Sequence, residues 1–419
     1  MYARSYSLIF GQSDLVEVHW NGVCVESRDR LGWFGSSTNS EIEGAWPNGK
    51  NQMNTRIAGY DFARFLALFG LVAANFSVGF EIADFRLDHL IQAQLHSLMR
   101  GGAIVTFLML GGVGISLLTQ RGIKTNETHG ITNSRKRLIR RAASLLVVGI
   151  CCNIIWHTSF LGFYSIYILI GALLLAVSSR WLGLLAFVFV IISVVFIVVI
   201  YGYFDYLEML QNWDTVQDSD LWTVEGMVSR LHHSRLHWIF SWTVFLLIGM
   251  WLGRQDVRHP RLRRNMFLGG IALTLAAECT VWVLIYSALW LPRSFYVAGT
   301  SEWVLENILI VTESVDFFAT CGIAMAIIGA SLMLTEKYPD AKWTKPFIVT
   351  GRLALTLYVA FLAIGIGLSK AFEALDSKTL PFEIGSAVVF CICAVIFTHF
   401  WRKRFEHGPL EWGIRRITG

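Results

Sequence analysis

RGIKTNETHGITNSRKRLIRR, residues 121–141, carries seven Lys and Arg between two long apolar runs. Basic residues beside membrane spans stay on the cytoplasmic side. The block therefore orients the whole chain, and the later loops follow it. Working outward, the apolar runs predict ten spans, at about 57–80, 101–120, 138–156, 159–178, 181–203, 236–254, 265–290, 312–334, 347–371 and 382–401. Ten spans place both ends on one side. Ser178–Arg180, RQDVRHPRLRR (254–264), EKYPDAKWTK (336–345) and the tail from Trp401 share the side of the basic block. These loops and the tail hold 21 Lys and Arg; the opposite side holds six, Arg86, Arg100, Arg230, Arg235, Arg293 and Lys378. The reading is an all-α polytopic membrane protein of about ten transmembrane helices, N-in and C-in.

Composition agrees. The chain has 419 residues, 54% of them hydrophobic and only 16% charged, with a mean hydropathy of +0.53. A soluble domain carries about 25% charge. Sixteen Trp and 29 Phe suit aromatic belts at two interfaces. The net charge of +5 is spread over short loops, where it sets topology, so no nucleic-acid partner is expected. Of seven Cys, six lie in apolar runs and none has zinc-site spacing; they read as buried small hydrophobes.

Residues 1–52 differ. They have no apolar core of a signal peptide and no sustained periodicity. They read as a poorly structured or spurious extension, with either a cytoplasmic tail or a true start at Met53 left open. Residues 53–419 form the transmembrane domain.

Charged groups inside spans must pair, snorkel or line a polar cavity. Asp61 and Arg64, three apart on one face of the first span, are either a structural pair or the start of a phosphate site. Arg352 opens the ninth span in TGRLALTLY (350–358) and would join them in a polar funnel on the inner side. Asn75 reads as an interhelical hydrogen-bonding residue. Glu278 and Asp316 are further charged positions near spans. GGVG (111–114) and GMWLG (249–253) suit close helix packing.

Six His fall on the outer side: His89, His96, His157, His232, His233 and His237. His96 stands about one turn before the second span, and His237 enters the sixth. Either suits a general base near neutral pH. His232, His233 and His237 could anchor an interface or join an acid in a metal site, but no H-E-x-x-H is present and no metal is expected. There is also no phosphate-binding glycine loop and no G-x-S-x-G elbow.

Four motifs carry a family resemblance. RIAGYDFARFLALFGLVAANF (56–76) matches R-x-x-x-L-D-x-x-R-G-x-A-x-x-G-I-x-x-V-N at Arg56, Asp61, Arg64, Gly70 and Asn75, with Phe65 in place of the Gly. HWIFSWTVFLLIGMWLGR (237–254) matches through Trp242, Phe245, Gly249, Met250, Gly253 and Arg254. GRLALTLY (351–358) has Leu357 where Asn is usual, and the tail matches at Gly408, Pro409, Leu410, Glu411, Trp412 and Arg415. From Arg56 onward the chain resembles the YeiB-like bacterial membrane proteins, domain-of-unknown-function family 418. That family is similar to membrane acyltransferases that include the lysosomal heparan-glucosaminide acetyltransferase.

The resemblance implies an acyltransferase of the bacterial inner membrane. It would take an acyl group from cytoplasmic acyl-CoA to an extracytoplasmic amine or hydroxyl. Asp61, Arg64 and Arg352 would hold the donor, and His96 or His237 would serve as the base. The expected partners are membrane lipids and a small-molecule or envelope-glycan acceptor, with a homodimer left open. Some relatives are linked to transport, so a transporter or transport accessory is the alternative, and a non-catalytic envelope partner is a third.

Overall fold

The computed structural model describes residues 7–10, 14–17, 57–76, 87–124, 130–155, 160–203, 236–289, 300–365 and 380–418. The chain divides into two compact units, Met1–Arg56 and Ile57–Gly419. In the first unit, Ser7–Phe10 (β1) pairs antiparallel with Asp14–Glu17 (β2).

The second unit is all helix among its described residues. Its elements are α1 (Ala58–Phe76), α2 (Leu87–Lys124), α3 (Gly130–Ile155), α4 (Phe160–Leu173, tightening into a 3-10 turn at Leu174–Ala176), α5 (Ser179–Tyr203) and α6 (Leu236–Leu252). They continue with α7 (Pro260–Leu289), α8 (Thr300–Lys337), α9 (Thr344–Arg352), α10 (Ala354–Ala360, widening at Phe361–Gly365), α11 (Leu380–Trp401) and α12 (Pro409–Thr418). A helix falls on each of the ten stretches expected to cross. By length and composition, four are long and apolar enough to span: Gln94–Gln120, Pro260–Ser287, Ser314–Lys337 and Ile384–Trp401. Counting α9 and α10 as one broken span, bent by 74°, makes five. α4, α5 and α6 are apolar over shorter stretches. The protein is a polytopic membrane protein.

Two elements outrun the sequence expectation. α2 and α8 have 38 residues each, about 57 Å at 1.5 Å per residue, against a hydrocarbon core of about 30 Å. Residues 87–100 and 300–311, expected within outer loops, are helical extensions of these spans. The ninth span, expected as continuous, breaks at Leu353, whose φ of −101° and ψ of 17° leave the helical region.

α1 and α2 form the hub. α1 packs against α2, α8, α9 and α11, and α2 also packs on α6 and α8. Two thirds (67%) of the most apolar window of α2 is buried, against 17% for α7. The large apolar side chains left outside, such as Phe187, Val283, Tyr286, Val389 and Phe400, suit contact with acyl chains. Between helices in lipid, close backbone approach replaces the hydrophobic drive. A Cβ at Gly249 would fall onto the Met109 carbonyl, and one at Gly112 onto the Leu246 carbonyl. These are the glycines of the GGVG and GMWLG motifs. The cysteines divide, contrary to the all-buried expectation: Cys152, Cys321 and Cys391 are buried, while Cys151, Cys279 and Cys393 are exposed. A bundle in lipid has an apolar exterior, so a small apolar residue need not face inward.

Candidate functional site

The end of the bundle where the basic loops gather is called inner here, and the opposite end outer. At the inner end Asp61 lies one turn into α1, with its side chain 0% exposed. Arg64, on the same face, donates from Nη1 to Asp61 Oδ1 at 2.6 Å. Arg352, the last residue of α9, donates from Nε to Asp61 Oδ2 at 3.1 Å. Gly351 makes this reach possible, because a Cβ there would collide with the Asp61 carbonyl. One buried carboxylate thus holds two guanidinium groups, which remain 29% and 33% exposed. Tyr60, one turn before Arg64, buries its hydroxyl without a hydrogen-bond partner among the described residues. A buried hydroxyl left unpaired costs about 1–3 kcal/mol.

The tail braces this corner. The Glu411 carboxylate accepts the backbone N–H groups of Leu355 and Thr356, at 3.1 Å each, and the Thr356 hydroxyl. Leu410 N–H donates back to Thr356 Oγ1 at 3.2 Å. Glu411 therefore caps the orphan donors that the break at Leu353 exposes. Gly408 admits this contact, since a Cβ there would strike the Glu411 carboxylate. The motif residue Arg254 likewise donates to the Leu175 carbonyl at 3.3 Å and to that of Val177, closing the end of α4.

A second polar cluster lies toward the outer end. Gln94 Nε2 donates to Asp316 Oδ1 at 2.8 Å and to the Glu278 carboxylate at 3.1 and 3.3 Å. Ser97, one turn along α2, donates to Asp316 Oδ2 at 3.3 Å. Sequence reasoning named Glu278 and Asp316 singly; Gln94 went unread, since a lone Gln before a span has no signature of its own. The signal was the spacing of Gln94 and Ser97, which puts both on one face of α2.

His96 is half-buried inside α2 rather than in a loop before it, because the helix begins at Leu87. It lies two positions from Gln94, so it points away from the two acids. Arg100 follows it one turn later on the same face. His237 sits in the first turn of α6; its side chain, like that of His89, falls outside the described residues, as do His157, His232 and His233 entirely. Asn75 donates to the Leu71 carbonyl at 2.7 Å, a bond within its own helix rather than between helices. Among the described residues no group of three or more His, Cys, Asp and Glu is placed to hold a metal ion.

The two clusters are far apart. Gly70 meets Met99 and Ala103, which fixes the register of antiparallel α1 and α2. Counting helix rise from that level, Asp61 and His96 are separated by roughly 20 Å along the bundle. Neither side chain can reach the other, and only a long ligand could engage both.

No curated protein and no solved structure gives a significant match to the chain. Residues 251–419 match the family described as protein of unknown function DUF418. Residues 56–298, more than half of the chain, match the family described as heparan-alpha-glucosaminide N-acetyltransferase, catalytic. The chain thus belongs to this acyltransferase-like family of membrane proteins, as a DUF418-type member.

Proposed function

We propose that the protein transfers an acyl group from cytoplasmic acyl-CoA to an amine or hydroxyl acceptor on the far side of the bacterial inner membrane. It would do so through ten crossings with both ends of the second unit inside. The observation that carries this reading is the Asp61–Arg64–Arg352 cluster. Asp61 holds both guanidinium groups in place, and each stays partly exposed to an approaching phosphate. Arg suits that task because its planar fork makes paired, charge-assisted bonds. The roughly 20 Å from Asp61 to His96 supports a donor with phosphates at one end and its thioester at the other.

In the reaction, the acceptor nitrogen or oxygen attacks the thioester carbonyl and its proton passes to His96. The C–S bond breaks and the CoA thiolate leaves with the electron pair, then takes up a proton. The C–N or C–O bond formed replaces the C–S bond, so no oxidant or other reactant is needed. His237 stands as the alternative base.

The test is acetyl-CoA binding and turnover in lipid nanodiscs. Arg64→Ala is expected to weaken donor binding by about 1.5–3 kcal/mol, the range for a charged hydrogen bond, with a small change in melting temperature. His96→Ala is expected to abolish turnover while donor binding stays near normal. Unchanged acetyl-CoA affinity in folded Arg64→Ala protein would remove the inner cluster from the site. Turnover kept in His96→Ala but lost in His237→Ala would move the base to α6.

One observation favours a second reading, solute transport. Broken helices beside charged groups are common at transporter binding sites, and the break at Leu353 adjoins the Asp61 cluster. Solute flux that persists in His96→Ala, with no acyl transfer in the parent protein, would establish it.

A further inference from the structure

A pocket of about 240 Å³ opens at the inner end between α9 and α11, apart from the Asp61 cluster. Lys342, Lys345, His399 and Arg402 are among its lining residues, with Pro346, Val349 and Val395, and its surface is mostly apolar. Thr398 completes it and is bonded at 2.9 Å to Thr350, so the two helices are tied at its base. On α9, Gly351 and Arg352 turn to Asp61, while Lys345, Pro346 and Val349 line the pocket. The helix therefore separates two basic regions with different surroundings.

We propose that this pocket holds the headgroup of an anionic phospholipid from the leaflet at the inner end. Three features choose that occupant. The lining includes three fixed positive charges, with His399 a fourth donor, which complements a phosphodiester. The pocket surface is mostly apolar, as a glycerol backbone and the first acyl carbons require and a free phosphate does not. The flanks are exposed apolar side chains, Trp343, Ile396, Phe397, Phe400 and Phe405, which suit the interface where a lipid enters.

The full chain is purified in micelles and titrated with phosphatidylglycerol or phosphatidylcholine, and bound lipid is counted by native mass spectrometry. The parent protein is expected to retain phosphatidylglycerol selectively. Each Lys or Arg near a charged leaflet contributes about 1 kcal/mol, about fivefold in affinity. Lys342→Ala/Lys345→Ala/Arg402→Ala is therefore expected to lose about a hundredfold for phosphatidylglycerol, with phosphatidylcholine unchanged. Arg140→Ala/Arg141→Ala, on exposed positions of α3, is expected to keep its lipid. Should the triple variant not fold, Lys345→Gln alone reads the same effect at about fivefold. Equal phosphatidylglycerol retention in parent and pocket variants would overturn the proposal, as would an equal loss in the α3 variant. Displacement of the lipid by acetyl-CoA, with acetyl-CoA affinity lost in the pocket variants, would overturn it in favour of a donor site. None of these variants touches Arg64 or His96, so failure here leaves the acyl-transfer reading standing.

Discussion

At the inner end of the bundle one buried carboxylate, Asp61, faces two guanidinium groups; toward the outer end two carboxylates, Glu278 and Asp316, face one carboxamide. Both clusters join helices distant in sequence. Their charge balance is opposite. Among the described residues the inner cluster sets one carboxylate against two guanidinium groups that stay partly exposed. The outer cluster bonds to the neutral donors Gln94 and Ser97, and no Lys, Arg or His forms a salt bridge to either acid among the described residues. Two carboxylates around one amide link α2, α7 and α8 through hydrogen bonds from a neutral donor. The difference separates a fully buried carboxylate from two partly exposed ones.

The sharpest way to break this contrast is Asp61→Ala. It leaves two arginines facing each other without their shared counter-charge. Each lost hydrogen bond to a charged group contributes about 1.5–3 kcal/mol at most, less for the partial exposure of both arginines, so the melting temperature in detergent should fall clearly. A near-normal melt would show that Asp61 is not the keystone of the inner end.

Glu411→Ala tests how far that inner end depends on its brace. The loss of a helix cap costs about 0.5–2 kcal/mol, concentrated at the break after Leu353. Hydrogen exchange should quicken at Leu355 and Thr356 well before it changes in α2. Uniform or absent change would separate the tail from the inner cluster.

The smallest effect is expected from Asp316→Asn. The amide keeps an oxygen for Gln94 and removes one of two neighbouring negative charges. Its melting temperature should match the parent closely, a change within about 0.5 kcal/mol as for sites without a structural role. A loss comparable to that of Asp61→Ala would abolish the distinction between the two clusters.

Part of this organisation was legible in the chain itself. The spacing of Asp61 and Arg64 placed them on one helical face, and Arg352 at a span start on the same side made it a candidate neighbour; Asp61 accepts from both. Gly112, Gly249 and Gly253 are packing positions as expected, because only a residue without Cβ lets two helix backbones touch, whereas Gly114 faces open space. The starts of α2 and α8 were misjudged, since polar residues in a helix that projects beyond the bilayer look like a loop. The pairing of Gln94 with Glu278 and Asp316 spans separations of 184 and 222 residues, and no local pattern encodes it.

What the sequence determined by itself is the class of solvent each segment accepts. Apolar runs of about 20 residues can be satisfied only as helices in lipid, and Lys and Arg sort their connections to one side. These are local transfer free energies, summed along the chain. Which polar groups meet is a different quantity, decided by helix register and close approach in three dimensions. Gly351 against the Asp61 carbonyl, Glu411 over the break at Leu353 and Gln94 between two acids exist only because tertiary packing brings distant helices within hydrogen-bond reach.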